Sequence, residues 1–131
     1  GQFYAYFTGA ELLGTTLDIY RTEEAFAKDV IKAYVEFVNE IYEAGCRNLQ
    51  FDDCVWGGMV NPKLAVALTG RKGQKLEDYK ALLLQLNNEV VAQAPSDLVI
   101  NTHVCRGNYH STFFSSGAYD GVADLLLARK M

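Results

Sequence analysis

The sequence predicts an α/β protein assembled from parallel βα units. Two long segments repeat apolar residues every three or four positions, a short apolar run follows each, and long loops follow both runs. Helix, strand, loop, helix, strand, loop, helix is the order that parallel crossover units require.

The first twenty residues are the least determined. Phe3 to Phe7 reads as a possible strand, with Gly9 and Gly14 allowing tight turns after it. From Thr22 to Ala44 the pattern is helical: Phe26, Val30, Tyr34, Phe37 and Ile41 share one face. Thr22 suits the N-cap, Glu23 and Glu24 the positive end of the helix dipole, and Gly45 the position just past the C-terminus. Asn48 to Phe51 reads as a short strand that delivers Asp52 and Asp53 at its C-terminal end. The long connection from Cys54 to Gln74 is expected to hold a short helix near Pro62 to Leu68 and a turn at Thr69 to Gly73. A helix over Leu76 to Ala94 follows, with Leu76, Tyr79, Leu83, Leu86 and Val90 as its stripe and Pro95 as its stop. Leu98 to Thr102 has little alternation and reads as a strand covered on both faces, delivering His103 and Cys105. Ser115 to Gly117 introduce a last helix carrying Tyr119, Val122, Ala123 and Leu126.

Composition fixes the broad class. Half of the residues are hydrophobic (50%) and 21% are charged, which suits one globular domain with one core over residues 1–131. Twelve Lys plus Arg against sixteen Asp plus Glu give a net charge of −4, so no nucleic-acid partner is expected. No run of about 18 apolar residues exists, so no membrane partner is expected either. The aromatic N-terminus has no basic residue before Arg21, which argues against a secretory signal, and the starting Gly1 suggests a tag remnant or an excised segment. Three cysteines without C-x-x-C spacing point to free thiols in a reducing cytoplasm.

The sharpest chemical feature is His103-Val104-Cys105. Residues i and i+2 at a strand end project to one side, so an imidazole and a thiolate can reach one metal ion, and that pair suits zinc. The blander reading is a buried thiol beside a satisfied imidazole. Asp52 can face a ligand ammonium or simply solvate a strand end. Gly70 to Lys75 can hold an anionic tail or form a solvated turn; Trp56 can wall a ligand or pack in a loop; His110 has no orienting neighbour in sequence. No nucleophile elbow, Walker loop or dinucleotide fingerprint is present.

Taken in order, these segments resemble a known family. Ala44-Gly45-Cys46-Arg47-Asn48-Leu49-Gln50-Phe51-Asp52-Asp53 is similar to the AGC-x-x-(L/I)-Q-x-DD segment of cobalamin-independent methionine synthase-like proteins. His103-Val104-Cys105-Arg106-Gly107-Asn108, with Ser111-Thr112 after it, resembles that family's H-x-C-R-G-N zinc segment; Gly117-x-Tyr119 and Val122-Ala123 continue the match. The likeness covers residues 20–131, leaves 1–19 unplaced, and is greatest to the short single-barrel relatives.

The resemblance implies part of a (β/α)8 TIM barrel of the methionine synthase and UROD-like type, with zinc held by His103 and Cys105. Asp52 would bind the amino group of homocysteine, and the reaction would be methyl transfer from a polyglutamylated 5-methyltetrahydrofolate to the homocysteine sulfur, giving methionine. No catalytic residue is implied within these positions. The family's third ligand, a Glu, its fourth, a Cys, and its catalytic His would lie beyond Met131. A full barrel takes roughly 250 residues, so the expected object is a partial barrel: a fragment of a longer protein, a degenerate short relative, or a homo-oligomer in which a second copy completes it. The contrasting expectation is a catalytically incomplete, self-associating domain, or a related enzyme using another thiol acceptor or donor.

Overall fold

The computed structural model describes residues 1–128; Met131, where the expected partial barrel stops, lies outside the described residues. Its elements are α1 (Gln2–Phe7), α2 (Leu13–Tyr20), α3 (Glu23–Glu43), β1 (Asn48–Asp52), α4 (Val55–Met59), α5 (Pro62–Thr69), α6 (Gln74–Ala92), β2 (Val99–His103) and α7 (Asp120–Leu127).

The barrel expectation is corrected here. The described residues form an α-rich fold with seven helices and one sheet of two parallel strands, and no eight-stranded barrel is present. A barrel needs strand after strand, and among the described residues only β1 and β2 pair as strands. The segment Phe3 to Phe7 goes to helix because its aromatic residues meet at helical spacing. Phe3 and Phe7 bring their rings to 4.9 Å of one another, and Tyr4 stacks at 5.4 Å on Phe26. The idea of a second copy completing a barrel loses its premise with the barrel.

α3 follows from its sequence signals. Thr22 is extended at the N-cap and accepts the Ala25 amide through its hydroxyl. At the other end Gly45, at φ 101°, lets Cys46 N–H reach the Ile41 carbonyl, closing a Schellman turn. α5 is capped by Asn61, whose side-chain oxygen accepts the Lys63 and Leu64 amides, has Pro62 as its first residue, and ends on left-handed Gly70.

β1 and β2 pair in register from Asn48↔Val99 to Asp52↔His103. The strands are one-sided, which corrects the expectation of two covered faces. Leu49, Phe51, Ile100 and Thr102 point inward, while Gln50, Asp52, Asn101 and His103 are exposed. Both long helices contribute to the covered side, with Val38 of α3 and Val90 of α6 closing on Leu98 and Ile100. A second, larger cluster joins Tyr4, Phe26, Trp56, Leu83, Leu86 and Val122, so the first twenty residues belong to the same core as the rest.

Arg71 ties this core together from its edge. Its guanidinium donates to both Glu23 carboxylate oxygens at 2.8 Å and to the Thr8 and Thr69 carbonyls, and lies 4.2 Å over the Tyr79 ring. With four of its five N–H groups so bonded, Arg71 is a brace between α3, α6 and the α1 end. Leu83 is fully buried at the centre. Leu83→Ala is expected to lower the unfolding free energy by about 3 kcal/mol, read as a lower urea midpoint at unchanged slope. No helix among the described residues is long and apolar enough to cross a membrane.

Candidate metal centre

The ladder's last pair, Asp52↔His103, sets the site. One further bond, from Asp53 N–H to the His103 carbonyl at 2.9 Å, carries the pairing past the strand ends. Cys54 and Cys105 each stand two residues beyond that last pair, and their sulfurs come to 3.2 Å. With His103 they form a cluster in which no two ligand atoms are more than 4.8 Å apart. His103 is exposed and both cysteines are half-buried.

Chemistry and spacing both fit zinc. One imidazole and two thiols are donors that zinc prefers, and a tetrahedral site sets them about 3.5 to 3.8 Å apart, between the two separations above. Among the described residues three donors converge, and three protein donors are what a catalytic zinc site takes.

The two thiols are electrostatically unlike. The Gly107 backbone N–H holds Cys105 below the usual thiol range, helped by the Cys54 side chain and by His103. Burial pushes Cys54 up, and its hydrogen bond to Cys105 adds to that; the Asp52 carboxylate contributes in the same direction. Of the two thiols, Cys105 is therefore the one that ionises more readily.

Structure and sequence place the candidates differently. His103 and Cys105 do come together, and Asp52 lies beside His103 with its carboxylate accepting from Gln50 Nε2 at 2.9 Å. Cys54 was missed as a donor, because only the register of β1 on β2 reveals that it stands opposite Cys105. Asp53, the second acid, is buried at 2% exposure; its Oδ2 accepts from Trp56 Nε1 at 2.7 Å and Asn87 Nδ2 at 2.6 Å. Trp56 is therefore a core residue and not a ligand wall. Arg106 serves the loop after β2, donating to the Gly117 carbonyl and lying 4.8 Å from the Tyr119 ring centre. His110 sits at φ 49° on the exposed Tyr109–Thr112 turn, edge-on to Tyr109.

Two curated proteins of Bacillus subtilis (strain 168) are similar to this chain. "Uncharacterized protein YxjH" is 38% identical over 109 residues, and "Uncharacterized protein YxjG" is 33% identical over 110. Each alignment covers 83% of this chain and 29% of the relative, so the chain spans under a third of their length. No family profile matches the chain. No solved structure matches it.

Proposed function

We propose that Cys54, His103 and Cys105 hold one zinc ion, and that the chain carries the thiol-binding part of a zinc-dependent S-methyltransferase of the cobalamin-independent methionine synthase kind. The carrying observation is the three-donor cluster with Asp52 beside it at the end of a two-stranded ladder. Zinc, when bound, favours the thiolate over the thiol near neutral pH. Asp52 is exposed next to His103 and is placed to accept hydrogen bonds from a substrate ammonium. Gln50 orients that carboxylate, so the amino group and sulfur of one small amino-acid thiol are held together. Homocysteine is the acceptor this reading names, and a polyglutamylated 5-methyltetrahydrofolate is the donor. A reducing cytoplasm, which keeps three thiols free, is the proposed compartment.

Metal content gives the first test. The purified chain is expected to hold about one equivalent of zinc, with His103→Ala and Cys105→Ser falling below roughly a tenth. Equal zinc in all three would sink the assignment. Cys54→Ser separates three donors from two: retention of tight zinc there removes Cys54 from the set. Methyl transfer to homocysteine, assayed beside other thiols, then tests acceptor and donor.

A second reading is favoured by the sheet's exposed face, where Val99 is 55% exposed beside two outer strand edges. It makes the chain a catalytically inert, self-associating domain. Sedimentation separates the two: an active monomer eliminates it, and an inactive dimer favours it.

A further inference from the structure

We propose that Cys54 and Cys105 are an oxidisable dithiol, a modification site at which a small-molecule disulfide closes them into an intramolecular disulfide. Closure itself rests on the sulfur geometry alone; its effect on metal rests on the zinc reading above.

The sulfurs are already 3.2 Å apart. A disulfide bond is about 2.04 Å, so closure asks for little more than 1 Å of approach, within reach of side-chain rotation. The backbones are held for it. The strands that lead to the cysteines pair in register as far as Asp52↔His103, at the roughly 4.8 Å spacing of a ladder. The Asp53–His103 hydrogen bond then ties the two segments together one residue before Cys54 and two before Cys105.

Access is also built in. Both cysteines line a cleft of about 460 Å3 whose walls include Ala5, Tyr6, Met59, Leu68 and Phe114. A small disulfide can enter there, whereas a second protein chain presents far more bulk. Cys46 cannot compete: it lies before the opposite end of β1, with its thiol turned to the Asn48 carbonyl, on the order of 13 Å or more along the strand.

The exchange balances in two steps. One of the two protein sulfurs, as thiolate, attacks a sulfur of the small disulfide. That S–S bond breaks, and the expelled thiolate takes up a proton to leave as a thiol. The second protein sulfur then attacks the mixed disulfide at the protein sulfur, forming the Cys54–Cys105 bond and expelling a second small thiol with the other proton. Two protein thiols are oxidised and one small disulfide is reduced to two thiols. In the closed form two of the three proposed zinc donors are spent.

Oxidised glutathione is the probe. After chelation of metal, the full chain is expected to lose two of its three free thiols, with a mass decrease of about 2 Da and no lasting adduct. Cys46→Ser is expected to close equally well, while Cys54→Ser and Cys105→Ser should stop at a glutathione adduct. Survival of all three thiols, consumption of Cys46, or disulfide-linked dimers would overturn the dithiol. Zinc uptake is then compared between reduced and closed chain. Equal uptake by both overturns the competition with metal. A reduced chain that closes normally yet binds no zinc supports the dithiol and removes the zinc function instead.

Discussion

Replacing Gly57 with alanine is expected to destabilise the chain by about 4 kcal/mol, a very large effect for one methyl group. A Cβ on Gly57 would overlap the Cys105 carbonyl oxygen outright and lie 2.9 Å from the carbonyl carbon and 3.2 Å from Arg106 Cα. All three are backbone atoms, so no side chain can swing aside. Backing away is costly too, since Ser115 Oγ donates to the Gly57 carbonyl from the buried side. α4 would have to lift off the segment after β2, carrying Cys54 at its N-cap away from Cys105. The variant should therefore lose roughly 12 to 20 °C of melting temperature and, if it folds, weaken the proposed zinc site as well. Gly14→Ala is the control. It lies in α2 with nothing within 4 Å of the added Cβ, so the helix should gain about 0.5 to 1 kcal/mol. Similar melting for both variants would refute the close approach of α4 to Cys105.

Asp53→Ala is expected to cost about 3 kcal/mol, because it strands buried donors rather than merely removing a bond. Trp56 Nε1–H and Asn87 Nδ2–H both converge on one carboxylate oxygen. These contacts tie α4 and α6 to the end of β1. Trp56 is the chain's one tryptophan, so its fluorescence reports the network directly. A lower denaturation midpoint with a red-shifted native spectrum is the expected result. Asp53→Asn keeps an acceptor oxygen and should fall between. An unchanged midpoint for the alanine variant would mean that this carboxylate does not hold the helices.

Asp52 and Asp53 mark the limit of what the sequence can convey about the site. Alternation along a strand says that neighbouring acids face opposite ways, but not which one meets solvent; the packing of α3 and α6 on one face decides it. The same applies to Cys54. His103 and Cys105 are two apart in one segment, and i, i+2 spacing made them visible as a pair. Cys54 belongs to another segment and becomes a partner only through register. α3 was legible from cap to cap because Thr22, Gly45 and a 3.6-residue stripe all agree. The first helix was not, because five residues of mostly aromatic sequence satisfy either period until Phe26 supplies a surface for Tyr4. The barrel failed for a related reason. Local βα grammar describes a unit, whereas the number of strands in a sheet depends on partners that local pattern does not encode.

The register of β1 on β2 also has a consequence for how this chain folds. Its candidate donors come from segments 51 residues apart, with α4, α5 and α6 between them. No local piece can assemble them, so the cluster exists only after the long loop has closed and the ladder has zipped. A metal ion that recognises the three together is then a ligand of the folded chain alone, and each tenfold rise in its free concentration above the dissociation constant deepens the native state by about 1.4 kcal/mol. With zinc bound as proposed, amide exchange in the ladder should slow in step with that concentration, so that a two-stranded sheet responds to the metal around it.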